Sequence, residues 1–140
     1  MCANVSDGGT VNLVTHDGAK LRVRLYGIDA PGVRHEKKPG QLYGEEAKRV
    51  LTGKVIRKEV TLMIQDTDRY RRIVGIIRVG NQNINEEMVR EGWAWAYREY
   101  LRGPYVSEFI SAEREAREKK LGLWQQSNPT PPWEYRRISR

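Results

Sequence analysis

The segment 21–32, LRVRLYGIDAPG, limits the possible folds of this chain more than any other stretch. Its first half has the period-two pattern of a β-strand with one buried face, and the apolar positions are Leu21, Val23 and Leu25. The strand is interrupted at Gly27, and Asp29 follows just before an Ala-Pro-Gly turn. Because Arg24 lies on the polar face of the same strand, the pattern predicts a site in which a cation and a potential metal ligand lie close together.

The length of 140 residues is typical of one domain with a single hydrophobic core. No apolar run approaches the roughly 20 residues of a membrane span, so we expect no membrane association. The lone Cys2 excludes an internal disulfide. The first ten residues lack the layout of a signal peptide, which leaves two locations open: the cytoplasm, or secretion with a leader absent from this chain. We expect a monomer.

The chain is basic, with a formal net charge of +7 and a pI near 9.7. This charge favours polyanionic partners, and we expect DNA or RNA, although an unspecialised basic surface would give the same total. Local clustering supports phosphate binding. One cluster comprises Arg34, Lys37 and Lys38, and a second comprises Arg69, Arg71 and Arg72. We therefore predict that Lys37 and Lys38 contact nucleic acid.

The alternation of apolar residues predicts strands at 10–14, 20–28, 58–64, 72–79 and 93–97. Helical spacing predicts helices from residue 43 onward, at 84–92 and at 107–121. Because most strand connections are of hairpin length, this α+β order fits a small closed barrel with helices around it better than a doubly wound sheet. We assign residues 1–125 to this domain and residues 126–140 to an extended tail rich in Pro, Trp and Arg.

Several short motifs, taken in order, resemble those of one known family. They are DGGT at 7–10, VRLYGIDAP at 23–31, YGEEA at 43–47, DRYRR at 68–72, NEEMVREG at 85–92 and GLW at 122–124. The series resembles the staphylococcal-nuclease-like (thermonuclease) domain, and its bacterial members share the PPWEYR tail. The resemblance implies a five-stranded OB-fold β-barrel with three helices. It also implies Ca²⁺-dependent hydrolysis of phosphodiester bonds in DNA and RNA.

The resemblance further implies roles for individual residues. Two arginines, Arg24 and Arg72, would contact the scissile phosphate, where each guanidinium can donate two parallel hydrogen bonds as charge develops. The calcium ligands would be the Asp29 carboxylate and the backbone carbonyl of Ala30. Three residues would contact the nucleic acid around the scissile bond: Arg69, Tyr70 and Tyr100.

Two positions depart from the family pattern. Gly9 stands where the family has an aspartate that binds calcium, and Gly32 stands where it has the glutamate that deprotonates the attacking water. Loss of a ligand weakens a calcium site, and loss of a general base typically lowers the rate by about 10²–10⁴. Nearby carboxylates in the sequence are Asp7, Glu36, Glu45 and Glu46, but no pattern positions any of them as a substitute.

Three functions remain open from the sequence. The first is a Ca²⁺-dependent nuclease of weak activity that acts on single-stranded or flexible nucleic acid through Arg24 and Arg72. The second is a noncatalytic module that binds nucleic acid through the same basic surface. The third is a protein-interaction domain with a vestigial cleft.

Overall fold

The computed structural model describes residues 1–70 and 72–139, which form an α+β structure. Its strands are β1 (Cys2–Asp7), β2 (Thr10–Val14), β3 (Lys20–Leu25), β4 (Ile28–Asp29), β5 (Thr61–Thr67), β6 (Ile73–Val79), β7 (Gln82–Asn83) and β8 (Trp95–Ala96). Its α-helices are α1 (Gly44–Val55), α2 (Ile84–Arg90), α3 (Tyr105–Glu118) and α4 (Pro132–Ile138). Arg71, part of a predicted basic cluster, and Arg140, at the end of the tail, lie outside the described residues. No helix among the described residues is long and apolar enough to cross a membrane.

The main sheet has the strand order β1-β2-β3-β6-β5, and the short β7 pairs with β6. Neighbouring strands are antiparallel except β3 and β6, which are parallel and align Arg24 with Val74. Because Arg72 immediately precedes β6, this parallel pairing brings Arg24 and Arg72 to neighbouring positions in the sheet. The five-strand order and the α+β class agree with the expected OB-type fold.

The sheet differs from the expected closed barrel. Its strand order ends at β1 and β5, and the outer edge of β1 pairs with the segment that follows α1. The N–H of Cys2 donates to the carbonyl of Lys58 at 3.2 Å, and the carbonyl of Cys2 accepts from the N–H of Arg57 at 2.9 Å. This segment leads into β5, and it covers the edge that a closed barrel would pair with a strand.

Of two hydrophobic clusters in the described residues, the smaller surrounds Trp95 and Trp124, and the larger lies between the sheet and the helices α1, α2 and α3. Helix α1 buries one face there, with Ala47, Leu51 and Val55, as its spacing predicted. The fully buried Asn85 of α2 connects the backbone of β6 with that of the segment after β3. Its side-chain oxygen accepts from the N–H of Ile77 at 3.1 Å, and its amide nitrogen donates to the carbonyls of Tyr26 and Gly75, both at 3.0 Å.

Several predicted strand boundaries are wrong, and strand β1 was not predicted. The strand expected at 20–28 is divided into β3 and β4, and the strand expected at 93–97 is only the two residues of β8. The strand expected at 58–64 is β5 at Thr61–Thr67, where Ile64 is exposed and a bulge separates it from Asp66. Strand β1 was not expected because only Cys2 and Val5 of its six residues are buried, so its sequence has no clear alternation. In both strands the sheet neighbours, rather than the local pattern, determine the structure.

The tail is a helix rather than an extended segment, so the described residues contain four α-helices where three were expected. Pro132 occupies the first turn of α4, where a missing N–H costs no intrahelical hydrogen bond. The ring of Trp133 stacks on Tyr97 with centroids 4.9 Å apart and lies edge-on to Trp95 at 5.5 Å. These aromatic contacts hold α4 against the domain.

Candidate nucleic-acid interface

A groove of about 720 Å³ opens where four strand-associated segments and α4 meet. The β1–β2 turn contributes Asp7, Gly9 and Thr10, and β3 contributes Arg24; the segment that includes β4 contributes Asp29, Ala30 and Gly32. The turn before β6 contributes Tyr70 and Arg72, and the loop after Gly32 contributes Lys38 among others. Helix α4 adds Trp133, Tyr135, Arg136 and Arg137. The described lining thus contains five lysine or arginine side chains and two carboxylates.

Arg24 is held in the floor of this groove by three hydrogen bonds. Its Nη1 donates to the carbonyl of Gly9 at 3.0 Å, and its Nη2 donates to the carbonyl of Ile28 at 3.0 Å and to Asp29 Oδ1 at 3.2 Å. Strand β3 aims the side chain at the groove because alternate residues of the strand, Val23 and Leu25, point into the core. The guanidinium is therefore fixed in place by groups of the protein itself.

Asp29 is 2% exposed, and guanidinium groups bind both of its carboxylate oxygens. Arg24 contacts Oδ1, and Arg136 of α4 donates from Nη2 to Oδ2 at 2.7 Å. Burying a carboxylate is costly unless it is paired, and these two contacts provide that pairing. The negative charge of Asp29 is thus neutralised from the β3 side and from the α4 side.

Asp68 positions Arg72 in the turn before β6. One carboxylate oxygen accepts from the backbone N–H of Tyr70 and of Arg72, both at 2.9 Å, and the other accepts from Arg72 Nε at 2.8 Å. Burial alone would raise the pKa of Asp68, but these hydrogen bonds and the Arg72 charge outweigh it and lower the pKa below its usual value. The Tyr70 ring is 70% exposed, with the guanidiniums of Arg69 and Arg72 at 5.5 and 5.8 Å from its centroid.

The two glycines that depart from the family pattern, Gly9 and Gly32, have different surroundings. A Cβ atom added to Gly32 would have nothing within 4 Å, so a larger side chain fits there. A Cβ atom added to Gly9 would lie 2.5 Å from Arg24 Nη1, and the guanidinium would have to move. The Arg24 position seen here therefore depends on the absence of a side chain at residue 9.

The sequence-predicted residues are only partly brought together. The groove lining includes Gly9, Arg24, Asp29, Ala30, Gly32, Lys38, Tyr70 and Arg72. Three predicted contacts lie outside that lining, namely Lys37, Arg69 and Tyr100. Lys37 is exposed in the loop beside Lys38, and Arg69 is exposed beside Tyr70. Tyr100 is half exposed and lies edge-on to Tyr97 with ring centroids 4.7 Å apart.

Comparison with known proteins identifies the family. A family model described as "Staphylococcal nuclease homologue" matches residues 22–126. The chain belongs to the staphylococcal nuclease family. An uncharacterized endonuclease of Haemophilus influenzae is 38% identical over 133 residues, which cover 95% of this chain and 70% of that protein. A micrococcal nuclease of Shigella flexneri is 37% identical over 145 residues, covering 97% of this chain and 79% of that protein.

A plant relative extends the comparison. A staphylococcal-like nuclease of Arabidopsis thaliana is 40% identical over 121 residues, which cover 86% of this chain and 35% of the plant protein. The chain is thus a nuclease domain of the staphylococcal nuclease family, for which nucleic acid is the substrate and phosphodiester hydrolysis is the reaction. The family uses Ca²⁺ in this reaction.

The residues of this staphylococcal nuclease domain do not fit a calcium ion in their present arrangement. Calcium binds six to eight oxygen ligands, preferably with several carboxylates among them. Among residues 1–70 and 72–139, no group of three or more acidic, His or Cys side chains is placed to hold a metal ion. Both oxygens of Asp29 are bound to guanidiniums, and Asp7 Oδ1 accepts from the N–H of Gly9 at 2.8 Å.

Sequence reasoning did not assign a site role to Arg136 or Asp68. Arg136 lies 107 positions from its partner Asp29, so no local pattern connects the two. Burial disfavours the charge of Arg136, but the hydrogen bond and charge of Asp29 outweigh it and raise the pKa of Arg136. The sequence features that pointed to Arg136 were the PPWEYR motif and the basic tail, which left nonspecific phosphate contacts open. Asp68 was recognised as part of the DRYRR motif, although its contact with Arg72 was not predicted.

Proposed function

We propose that this domain binds single-stranded or flexible nucleic acid in the groove and hydrolyses its phosphodiester bonds weakly, with Arg24 and Arg72 contacting the phosphate. The observation that carries the proposal is the groove itself, where five cationic side chains face two carboxylates among the described residues. A cationic groove of this kind attracts a phosphate backbone. The absence of a side chain at Gly32 leaves the same groove without a base at the family position.

The preference for single strands rests on aromatic residues near the cations. The Tyr70 ring is largely exposed, and Tyr100 is half exposed outside the groove lining. Bases can stack on such rings only when they are not paired in a duplex, and stacking contributes about 1–3 kcal/mol per base. In this proposal Arg69, Lys37 and Lys38 contact the phosphates on either side of the phosphate that Arg24 and Arg72 bind.

The reaction in this proposal is attack of water on phosphorus with departure of the ribose or deoxyribose oxygen. Charge that develops on the phosphoryl oxygens is stabilised by Arg72, whose Nη groups extend beyond the Nε bonded to Asp68. Arg24 contributes from the groove floor, although carbonyl groups and Asp29 already use three of its donors. Without a base at residue 32 the attacking water gives its proton to solvent, the leaving oxygen takes a proton from solvent, and the rate is about 10²–10⁴-fold lower than with a positioned base. Calcium has no part in these steps because the residues do not fit it.

The test compares the domain with the Gly9→Asp/Gly32→Glu double variant on a fluorescent single-stranded oligonucleotide, in calcium and in chelator. We expect wild type to bind the oligonucleotide and to cleave it slowly. The double variant should cleave at least about 10²-fold faster in calcium, because it restores a carboxylate ligand and the base. Gly32→Glu alone separates the two contributions, since a side chain at residue 32 meets no neighbour.

Three results decide the outcome. Arg24→Ala and Arg72→Ala should abolish the residual wild-type cleavage, which excludes a contaminating nuclease. Wild-type cleavage as fast as that of the double variant would contradict the proposed loss of the base. Failure of wild type to bind any single-stranded oligonucleotide would contradict the whole proposal.

A noncatalytic binding module is the second candidate, and the double guanidinium contact of Asp29 favours it. The two guanidinium charges beside Asp29 repel a divalent cation, so metal binding is disfavoured while both arginines stay in place. This candidate predicts tight binding of the oligonucleotide with no turnover by wild type. Turnover that disappears in Arg24→Ala excludes it.

A further inference from the structure

Helix α4 carries a cation to the centre of the groove and holds it there. Arg136 Nη2 donates to the buried Asp29 Oδ2 at 2.7 Å, while the Arg136 side chain is 52% exposed. A guanidinium has five N–H donors, and this contact uses one of them. Arg136 also lines the groove, so its exposed edge faces the space in which a nucleic-acid phosphate would lie.

The position of Arg136 is fixed by contacts on both sides of α4. The Tyr135 hydroxyl donates to the carbonyl of Gly40 at 2.9 Å, and Gln41 Nε2 donates to the carbonyl of Thr130 at 2.8 Å. Trp133 stacks on Tyr97 with an interplanar angle of 10°. A side chain presented by a docked element loses little conformational freedom when it binds a ligand, and this favours binding.

Arg136 also takes the carboxylate oxygen that a metal ion would need. A divalent cation in a phosphodiester site neutralises a carboxylate on one side and a phosphate on the other. A guanidinium can do the same, because one edge can donate hydrogen bonds to a carboxylate while the other edge donates to a phosphate oxygen. Arg136 donates to Asp29 Oδ2 in this way, and its side chain lines the groove and is 52% exposed.

We propose that Arg136 is a phosphate-binding residue that serves in place of a divalent cation beside Asp29, so that the groove binds a nucleic-acid phosphodiester without any metal ion. The inference rests on the proposed function, because it assumes that nucleic acid occupies this groove. It adds that α4 is part of the binding site and that Arg136, Arg24 and Arg72 together surround the bound phosphate.

The experiment measures fluorescence anisotropy of a labelled single-stranded oligonucleotide with the full chain, in EDTA and in calcium. Wild type should bind equally well in both. Arg136→Ala should bind about tenfold more weakly in EDTA, the size expected for a charge-assisted contact. The slope of log K against log salt should also become shallower by about 0.7, which corresponds to one phosphate of a single strand.

Arg114→Ala is the matched control, because Arg114 is exposed on α3 and is absent from the groove lining. It removes the same charge and should change neither the affinity nor the slope. Arg136→Gln keeps a hydrogen-bond donor for Asp29 but removes the charge. It should therefore bind the oligonucleotide more weakly while α4 stays docked, which separates loss of the charge from the release of α4 that Arg136→Ala could cause. Amide hydrogen exchange across α4 shows whether the helix stays docked in each variant.

The outcomes separate this inference from the proposed function. Binding by wild type in calcium but not in EDTA overturns the inference and leaves the proposed function standing. An affinity in EDTA that Arg136→Ala and Arg136→Gln leave unchanged or increase also overturns it. No binding by wild type in either buffer overturns both.

Discussion

Asp68 determines where the Arg72 guanidinium lies, since it accepts hydrogen bonds from both the backbone and the side chain of Arg72. Asp68→Asn should weaken oligonucleotide binding by about three- to tenfold, because the loss of the charge leaves Arg72 free to adopt several rotamers. The effect should appear in the anisotropy titration in EDTA. Asp66→Asn provides the control, since Asp66 is an exposed carboxylate nearby that contacts only local backbone in the described structure.

Two results test whether Asp68 acts by positioning Arg72. Substitution of an acidic residue near a polyanion normally strengthens binding, so a loss of affinity in Asp68→Asn points to a positioning role. The double variant Asp68→Asn/Arg72→Ala should bind no more weakly than Arg72→Ala alone, because Asp68 acts through Arg72. Additive losses in the double variant contradict that role.

At the scale of elements, docking of α4 converts the C-terminal segment into one wall of the groove. Trp133→Ala removes the stacking on Tyr97 and the edge contact with Trp95. We expect faster amide hydrogen exchange throughout α4 and a global destabilisation of about 1 kcal/mol. If the helix carries Arg136 into the site, the variant should also lose as much affinity in EDTA as Arg136→Ala.

Trp133→Phe is the corresponding control because it keeps an aromatic ring at the same position. It should retain most of the protection of α4 and most of the affinity. Fast exchange in α4 together with unchanged affinity in Trp133→Ala would show that a docked α4 is not needed for binding.

The elements that the sequence predicted well are those whose own pattern matches their burial. Strand β2 lies where alternation predicted it, and α1 buries the face that its spacing indicated. Strand β1 and helix α4 escaped prediction for a shared physical reason, because both are stabilised by distant partners. Cys2 pairs with the segment after α1, and Trp133 packs on the β8 region. The local sequence of each element contains little of that information.

The residues of the candidate site also fall into two groups, those that a local motif predicts and those that only folding brings into the groove. Arg24, Asp29 and Arg72 lie in the groove because each is part of a strand or an adjoining turn with a recognisable motif. Arg136 reaches Asp29 only through the docking of α4, and that contact spans 107 positions of the chain. The shape of the β1–β2 turn also depends on folding, since Arg24 occupies the space that a side chain at residue 9 would need.

For the whole molecule, the location of the charge matters more than its total. The formal net charge is +7, yet many arginines and lysines are paired with carboxylates away from the groove. Lys54 bridges Glu87 and Glu91, while Arg90 bridges Glu86 and Glu115. The described groove lining brings five cations together with only two carboxylates of its own, Asp7 and Asp29, although Arg72 and Arg137 also pair with Asp68 and Glu134 beside that lining. The groove therefore has an excess of positive charge where we place the nucleic acid.

This distribution predicts how binding responds to salt. If each of the five groove cations neutralises one phosphate of a single strand, log K should fall against log salt with a slope of about −3.5. The slope is measured by anisotropy titrations from low to moderate KCl concentration. Arg72→Ala should make it shallower, whereas Arg114→Ala should leave it unchanged, because only Arg72 lines the groove. A slope near zero would mean that phosphates contribute little to binding, and it would favour a protein-interaction domain over a nucleic-acid groove.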